Sequence, residues 1–251
     1  MPPLDKKLIK LNKYLSLCGI ASRRKSDDII LSGKIKVNGE VIKELGKSIS
    51  LKDEVLYEGK KIKPENYTYI KYYKPAGFIT SLKDEKGRKT IYDILPPEVK
   101  NLKTAGRLDK DSSGLLIMTN DGDLINELAH PNGNVSKVYK VTVQGRVSNN
   151  DLYRLEKGIE IEKNKIAYAY ARIIEYKQKN TILEVILYQG LNRQIRKMFE
   201  TLEHPVIALK RIQHGIISIE GLKKGQFKYI NPRQIKELRS YLANQKKTKN
   251  K

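Results

Sequence analysis

Apolar and polar residues at the start of the chain follow first a helical and then an alternating pattern. Leu8, Leu11 and Leu15 recur at helical spacing, and a second predicted helix begins after Ser22, whose side chain is a typical N-cap. Residues 35–42 then alternate around an Asn-Gly pair, which is the strongest short-range signal of a β-hairpin. The pattern predicts a small unit of two helices followed by a hairpin.

The longer second part of the chain mixes strand and helix patterns. It follows a polar segment at 59–66 that Pro64 interrupts, which is typical of a linker. The predicted strands lie at 69–73, 114–119, 138–143 and 181–188, and the predicted helices lie at 123–129, 148–157 and 193–202. We therefore predict an α+β protein with one domain at 1–62, a second at 63–243 built on a mixed, mainly antiparallel sheet, and a basic disordered tail at 244–251.

The charge of the chain narrows the class of partner. Lys and Arg number 50 against 28 Asp and Glu, which gives a net charge of +22, and there is no Trp. Such an excess favours a polyphosphate partner, above all nucleic acid, because each docked cation releases counterions. A general lysine richness that serves solubility is the alternative. Arg23, Arg24 and Lys25 bunch at the start of the second predicted helix, where the helix N-terminus also attracts phosphate.

Cysteine and histidine usage limits the chemistry further. Cys18 is the single cysteine, so the chain has no internal disulfide, and the three histidines are too scattered to form a zinc site. The expected setting is a reducing cytoplasm. The apolar stretch at 8–20 is interrupted by lysines at helical spacing, and we expect neither a signal peptide nor a membrane-spanning segment.

No motif for a bound nucleotide cofactor or for metal-dependent hydrolysis occurs in the chain. It has no glycine-rich phosphate loop, no Ser-His-Asp arrangement and no zinc-protease helix. We therefore expect no cofactor and no metal site. Four other segments combine charged or aromatic residues with strand or helix patterns, and the candidate site lies among them: 73–77, 107–122, 137–141 and 189–199.

Each candidate side chain also has an ordinary structural interpretation. Asp109 lies two residues after Arg107 in a Gly-bounded loop, where an Asp serves either as a backbone cap or as an exposed reactive carboxylate. Tyr139 lies on an alternating strand, where an ordinary sheet role is the simpler interpretation. Arg193 and Arg196 are three residues apart on a predicted helix, and a solvated basic face explains them equally well.

Taken together, these segments resemble a known family. The Gly-Arg-Leu-Asp loop that leads to Gly-Leu-Leu and Thr-Asn-Asp-Gly, the Tyr139 strand and the Asn-Arg-Gln-Ile-Arg helix occur in the order typical of the RsuA/RluB family of RNA pseudouridine synthases. Residues 1–61 resemble the ribosomal-protein-S-four-like RNA-binding domain that this family often carries, and the whole resemblance covers residues 8–240. It implies a cofactor-independent, monomeric enzyme with a central cleft that converts a uridine of ribosomal RNA, or of a ribosomal subunit precursor, to pseudouridine.

The resemblance also assigns roles to individual residues. Asp109 would be the catalytic aspartate, Tyr139 the aromatic residue against the target base and Arg196 the basic partner of the aspartate. Arg107 would fill the space that the flipped uridine leaves in the RNA stack. The other residues expected to contact substrate or RNA are Lys74, Arg193, Arg23, Arg24 and Lys25.

The chemistry of this reaction fits these residue types. Rejoining uracil to its sugar through C5 requires the N-glycosidic bond to break near one carboxylate, beside a stacking surface and away from water. A glycosidase would need a second carboxylate, for which Asp111 is a candidate by position, but uracil must be retained rather than protonated away. Whether Asp109 attacks C1′ or removes the C2′ proton stays open, and Tyr139 as the acceptor of the C5 proton is a hypothesis.

Three positions depart from the family pattern. Leu191 stands where Arg or Lys is usual and Gln189 where Glu is common, which predicts the loss of a phosphate contact near the site. Ser112 replaces a frequent Thr and keeps the hydroxyl. The motif Asn-Arg-Gln-Ile-Arg-Lys-Met-Phe resembles the large-subunit branch of the family and so favours large-subunit ribosomal RNA as the substrate. The alternatives are small-subunit RNA, a non-catalytic RNA-binding ribosome-assembly factor, and a hydrolase that leaves an abasic site.

Overall fold

The chain divides into two compact units, Met1–Tyr67 and Thr68–Lys251. The computed structural model describes residues 8–82, 84–130 and 133–249. The division falls five residues after the boundary expected near residue 62. The backbone explains the difference, because the Ile62 amide donates to the carbonyl oxygen of Val55 and the Glu65 amide donates to that of Leu17. The predicted linker therefore belongs to the first unit.

The first unit consists of two helices and short antiparallel strands. Its elements are β1 (Leu8–Lys10), α1 (Leu11–Leu17), α2 (Arg23–Leu31), β2 (Ile35–Val37), β3 (Glu40–Ile42), β4 (Ser48–Ser50), β5 (Val55–Tyr57) and β6 (Lys60–Lys61). Strand β1 pairs with β4, and the other strands form a sheet in the order β3-β2-β5-β6. The predicted hairpin is confirmed, with Asn38 at φ 51° and Gly39 at φ 89° in the two turn positions.

The start of the first helix differs from the prediction. Leu8 was expected in the helix, but it lies in β1, opposite Ser50, and it is largely exposed. The helical stripe that is buried consists of Leu11, Tyr14 and Leu15. Because Leu8 is apolar and lies at helical spacing from Leu11, the predicted helix began about one turn too early, in a strand that pairs with β4. The predicted start of the second helix is confirmed, because the side chain of the N-cap Ser22 accepts from the backbone amide three residues later.

The second unit contains one large sheet with helices on both faces. Its elements are β7 (Tyr69–Lys74), β8 (Lys103–Thr104), β9 (Ser113–Thr119), α3 (Gly122–Ala129), β10 (Lys137–Gln144), α4 (Asn149–Lys157), β11 (Ile159–Glu162), β12 (Lys165–Ala167), β13 (Tyr170–Tyr176), β14 (Asn180–Leu187), α5 (Gln194–Thr201), β15 (Val206–His214), β16 (Ile217–Ser218), β17 (Phe227–Tyr229) and α6 (Pro232–Lys249). Two short 3-10 helices, Ile91–Asp93 and Pro97–Val99, lie between β7 and β8.

The strand order confirms a mixed, mainly antiparallel sheet. The strands run β13-β14-β10-β15-β9-β7-β17, with β16 on β15 and β8 on β9. Strands β15 and β9 are parallel, with Lys210 opposite Ser113 and Arg211 opposite Gly114, and the other neighbours among the described strands are antiparallel. The α+β class predicted from the sequence is therefore correct.

Strand β9 is buried on both of its faces. Leu116 and Met118 belong to an apolar cluster that includes residues of β10, α4 and α5. Leu115 and Ile117 belong to a second cluster, which includes residues of α3 and α6. Because both faces are covered, this strand reads in the sequence as a continuous apolar run rather than as an alternation. The loop that precedes β9 therefore leads into a rigidly packed strand.

The C-terminal helix α6 is longer than expected. The prediction of an irregular tail at 244–251 is wrong for residues up to Lys249, which continue the 18-residue helix, while Asn250 and Lys251 lie outside the described residues. The segment contains Gln and Lys, which favour helix, and no Gly or Pro. None of the described helices is long and apolar enough to cross a membrane.

Candidate active site

The loop between β8 and β9 carries Asp109, and its backbone is fixed before that residue. Gly106 takes a positive φ of 82° and turns the chain at the end of β8. The buried Thr80 then holds Leu108 from both sides, since its hydroxyl donates to the Leu108 carbonyl oxygen at 2.8 Å and accepts from the Leu108 amide at 3.3 Å. The next residue, Asp109, therefore has a defined backbone position.

Lys74 holds the same loop from the buried side. It is fully buried at the end of β7, and its ammonium donates to the carbonyl oxygens of Ser112 at 2.7 Å, Asp109 at 3.1 Å and Lys110 at 3.3 Å, as well as to that of Pro75. Burial lowers the pKa of Lys74 to about 8, against the raising effect of the nearby carboxylates. The prediction that Lys74 contacts RNA is wrong in this structure, and its role is to position the loop.

The carboxylate of Asp109 faces an arginine from the start of α5. Arg193 Nη1 lies 4.0 Å from Asp109 Oδ2 and also 4.0 Å from Asp111 Oδ2. Arg193 is the N-cap of α5 and adopts the left-handed conformation, with φ 49° and ψ 32°. Few residues other than Gly take this conformation without cost, and such outliers are concentrated at functional sites. The left-handed turn gives the guanidinium its direction toward the two aspartates.

Arg196, which was predicted as the basic partner of Asp109, bonds to the backbone in this structure. Its guanidinium donates to the carbonyl oxygens of Val206 at 3.2 Å and Asp111 at 3.3 Å, and it makes no ion pair with Asp109 within 4.0 Å among the described residues. Burial lowers the pKa of Arg196, and the neighbouring Arg193 also lowers it, against the raising effect of Asp111 and Asp109. The aspartate loop is therefore supported by two arginines, one facing the carboxylates and one bonded to the backbone.

A cavity of about 410 Å³ brings four of the predicted site residues together. Arg107, Asp109, Tyr139 and Arg193 all line it. The apolar part of its wall is formed by Leu128, Leu187, Leu191, Ile195 and Leu209. Tyr139 lies on β10 and is 8% exposed, whereas Arg107 is exposed. The cavity thus combines apolar and aromatic wall residues with an exposed arginine.

Gln189 and Leu191, which depart from the family pattern, take part in a local hydrogen-bond network. Gln189 Oε1 accepts from the Tyr168 amide at 2.9 Å and from Gln194 Nε2 at 3.1 Å. Gln194 Oε1 accepts from the Leu191 amide at 3.2 Å. These bonds hold the turn that leads into α5 and carries Arg193. In this chain the amide at residue 189 therefore stabilises the turn, and Leu191 packs against the apolar core.

Three basic residues that the sequence did not single out line the same cavity. Lys137 lies on β10, two residues before Tyr139 and on the same face of the strand, and Arg211 and His214 lie on β15. Arg211 Nε donates to the Leu115 carbonyl oxygen at 2.7 Å. The alternation of residues along 137–141 could have identified Lys137, because residues two apart on a strand share a face.

The predicted RNA contacts at Arg23, Arg24 and Lys25 lie in the first unit. All three are exposed in the first turn of α2. The Lys25 amide donates to the Ser22 hydroxyl oxygen at 3.4 Å. Their side chains lie beside the positive end of this nine-residue helix, an arrangement suited to phosphate.

The acidic residues of the cavity wall limit the chemistry that the cavity can support. Among the described residues, Asp109 is the only acidic side chain that lines it. A hydrolytic glycosidase uses two carboxylates on opposite sides of the glycosidic bond. A site with a single carboxylate, a tyrosine and an arginine is instead suited to a base that is cleaved from its sugar, retained and rejoined.

Two family models match the chain, one in each unit. The model for RNA pseudouridylate synthase matches residues 68–201, and the S4 domain model matches residues 9–55. The fold and the single-carboxylate cavity thus belong to an enzyme that modifies a nucleoside within RNA. The chain belongs to the RNA pseudouridine synthase family, whose members isomerise uridine in RNA to pseudouridine, and it carries an S4 domain before the synthase domain.

Relatives that align over almost the whole chain agree with this assignment. The ribosomal large subunit pseudouridine synthase B of Bacillus subtilis (strain 168) is 38% identical over 92% of this chain and 96% of its own length. An uncharacterized RNA pseudouridine synthase of Aquifex aeolicus (strain VF5) is also 38% identical, over 92% of this chain and 93% of its own. A crystal structure of a pseudouridylate synthase superimposes with a TM-score of 0.64 at 26% identity, covering 92% of this chain and 99% of the other.

Proposed function

We propose that this synthase acts on ribosomal RNA, with a uridine of the large-subunit RNA as its substrate, and that Asp109 is its catalytic carboxylate. The observation that carries the proposal is the position of Asp109, which among the described residues is the one carboxylate lining the cavity, 4.0 Å from Arg193 and in the same cavity as Tyr139. The similarity to the Bacillus subtilis enzyme named for the large ribosomal subunit supports the choice of RNA.

In the proposed reaction, the flipped uridine enters the cavity with its sugar near Asp109. The bond between C1′ and N1 breaks, and its electron pair leaves with the uracil ring. Asp109 either bonds to C1′ or removes the C2′ proton, and both routes leave the same detached ring. The ring turns and C5 bonds to C1′, which releases the Asp109 oxygen from C1′ on the first route or is accompanied by return of the proton to C2′ on the second. The C5 proton then leaves and N1 gains a proton, so the product is an isomer of the substrate. Tyr139 stacks on the base, and its oxygen is the proposed acceptor of the C5 proton.

The basic residues around the cavity have separate proposed roles. Arg193 supplies the positive charge that faces the Asp109 carboxylate, with the two groups 4.0 Å apart. The exposed Arg107 fills the gap that the flipped base leaves in the RNA stack. Arg23, Arg24 and Lys25 of the S4 domain bind RNA phosphates. A monomeric state, a cytoplasmic location and independence of cofactors stay predictions of the sequence.

The experiment that tests the catalytic assignment measures tritium release from C5-labelled uridine in ribosomal RNA transcripts. Asp109→Asn keeps the shape of the side chain and removes its charge, and we expect the release to fall by about 10⁴-fold or more. Asp111→Asn is the matched control, because Asp111 lies in the same loop and at the same distance from Arg193 but does not line the cavity. An Asp109→Asn enzyme as active as wild type would overturn the assignment.

The substrate is tested by mapping pseudouridine as carbodiimide-resistant adducts on both ribosomal RNAs, in cells with and without the protein. We expect one adduct in the large-subunit RNA to depend on the protein. A dependent adduct in the small-subunit RNA alone, or in transfer RNA alone, would contradict the proposed substrate. Free uracil among the reaction products would indicate hydrolysis, and RNA binding without any dependent adduct would indicate an assembly factor.

A further inference from the structure

The deep end of the cavity contains polar groups that no described residue satisfies. Arg211 Nη2 and His214 Nδ1 are buried and have no hydrogen-bond partner among the described residues. Lys137 Nζ donates to the Val135 carbonyl oxygen at 3.0 Å, which occupies one of its three hydrogens. Buried polar groups without partners are rare in folded proteins, and each one points to a missing ligand or water.

The same end of the cavity carries positive charge without a counter-ion. No carboxylate among the described residues lies within 4.0 Å of the charged nitrogens of Lys137 or Arg211. Burial and, to a smaller extent, the nearby Arg211 together lower the pKa of Lys137 to about 8. His214 is fully buried beside both cations, and its pKa lies well below the usual range, so it is neutral. A cation held here is costly unless a bound ligand carries negative charge.

The basic residues at the deep end of the cavity are more buried than the arginines that are suited to bind phosphate. Arg211 is 2% exposed and His214 is fully buried, and Lys137 is the one of the three that is partly accessible. Arg107 and Arg193 are both exposed and line the same cavity. When a nucleotide flips into a pocket, its base enters furthest, while its phosphates stay with the strand at the mouth. Lys137, which is partly buried but still accessible from the cavity, is therefore placed to contact the base rather than the phosphates.

We propose that Lys137 donates a charge-assisted hydrogen bond to a carbonyl oxygen of the flipped uracil and stabilises the negative charge that the ring carries once it is detached. The inference rests on the proposed reaction at this cavity. When the bond between C1′ and N1 breaks, its electron pair spreads from N1 to O2 and O4 of the ring. The Lys137 ammonium faces that charge and transfers no proton. Arg211 adds to the same positive potential from behind.

The position of Lys137 relative to Tyr139 and the neighbouring strands agrees with this role. On the common face of the sheet, Lys137 lies between Leu187 of β14 and His214 of β15, and Tyr139 lies two residues along the same strand. Leu187 forms an apolar side of the cavity. A ring that stacks on Tyr139 would thus have apolar contacts around it and one accessible ammonium at its edge. Low polarity around the ammonium strengthens its interaction with an anion.

The test compares charge-removing and charge-keeping variants in single-turnover reactions on the mapped ribosomal RNA substrate. Lys137→Met keeps the length of the side chain, and we expect the rate of isomerisation to fall about 10²-fold, as for the loss of one oxyanion-stabilising donor, with RNA affinity little changed. Lys137→Arg should recover at least about a tenth of the wild-type rate. Lys140→Met is the matched control, because Lys140 lies on the same strand with its side chain exposed on the opposite face.

A second substrate separates charge stabilisation from simple misplacement. Fluorine at C5 withdraws electrons, so a detached 5-fluorouracil ring needs less help from a cation than uracil does. At about pH 6.5, where both bases are neutral and Lys137 is charged, the loss in glycosidic-bond cleavage caused by Lys137→Met should be about tenfold smaller for 5-fluorouridine RNA. The comparison uses the ratio of two rates in one variant, so it does not depend on the fraction of that variant that is folded.

The outcomes distinguish the two proposals. A Lys137→Met enzyme within about twofold of wild type would overturn the role of Lys137 and leave the proposed reaction intact. An equal loss on both substrates would also overturn it, because it would indicate displaced geometry rather than lost charge. A wild-type enzyme that modifies no ribosomal RNA uridine would instead contradict the proposed function.

Discussion

Gly114 on β9 lies directly against the backbone of Arg211 on β15, in the parallel pair of the large sheet. A Cβ atom built on Gly114 would lie 2.2 Å from the carbonyl oxygen of Arg211 and 2.5 Å from its amide nitrogen. Gly114 also has a φ of 115°, which L side chains rarely adopt. The contact joins the strand after the aspartate loop to the strand that carries Arg211. Any side chain at residue 114 would have to separate these two strands.

We therefore expect Gly114→Ala to lower the free energy of unfolding by at least about 3 kcal/mol, from the forced strand separation and the disfavoured φ. Urea denaturation followed by circular dichroism measures the change. Gly122→Ala is the matched control, because Gly122 has nothing within 4 Å of its added Cβ and lies in the first turn of α3. A Gly114→Ala protein as stable as this control would contradict the close packing of β9 on β15.

The buried ammonium of Lys74 predicts a pH dependence of stability. Its pKa is lowered by burial to about 8 in the folded chain, whereas an unfolded lysine titrates near pH 10.4. Between these values the unfolded chain binds a proton that the folded chain has released, so the free energy of unfolding rises with pH in this window. Lys137 contributes in the same direction. Below about pH 8 both states are protonated and this contribution to the slope vanishes.

Lys74→Met should remove up to about 1 kcal/mol per pH unit from that slope between about pH 8 and pH 9.5. It should also lower stability below pH 8, because the Ser112 carbonyl oxygen and its neighbours lose their donor. Denaturant titrations at several pH values measure both effects. Lys110→Met, in the exposed part of the same loop, should leave the slope unchanged. An unaltered slope in Lys74→Met would show that the ammonium is not desolvated.

The sequence predicted the position of the Asp109 loop better than the direction of the Lys74 side chain on β7. Tyr72 and Lys74 alternate with half-buried neighbours along β7, so the two-residue period places Lys74 on the same face as the buried Tyr72. Its charge favoured the opposite conclusion, because lysines are seldom buried. The four carbonyl acceptors that make burial possible come from residues up to 38 positions away, and only the fold brings them together.

The choice between the two arginines near Asp109 also required the fold. A spacing of three residues on a helix places Arg193 and Arg196 on one side, and both could reach the aspartate. Arg193, however, precedes the helix in a left-handed conformation, which no helical pattern predicts. Such a conformation is common for Asn and Gly but not for Arg. Local propensity therefore gave no signal at the residue that faces Asp109.

The two arginines should respond differently to substitution. Arg193→Asn removes the guanidinium but keeps a residue that tolerates the left-handed conformation, so activity should fall about 10- to 100-fold while stability changes by less than about 0.5 kcal/mol. Arg196→Met removes two bonds of a half-buried guanidinium to backbone carbonyls, and it should cost about 1–3 kcal/mol of stability as well as activity. Single-turnover rates and urea denaturation separate the two. Equal loss of stability in both variants would contradict the distinct roles.

The basic cluster of the S4 domain predicts a change in the salt dependence of RNA binding. If Arg23, Arg24 and Lys25 contact phosphates, replacing all three with Ala should reduce the slope of log Kd against log salt by about 2 to 3 units. The rate of isomerisation at saturating RNA should change little, because these residues belong to the first unit and none lines the cavity. Filter binding over a range of salt concentrations measures the slope.

The control for this prediction removes the same charge from another part of the same domain. Lys36, Lys43 and Lys60 are exposed on or beside the short strands, and their triple Ala variant also loses three positive charges. If binding depended only on net charge, the two triple variants would weaken it equally. Because counterions are released only where cations dock on phosphate, we expect the larger change in slope for the α2 cluster. Equal slopes in the two variants would contradict a specific phosphate contact at the start of α2.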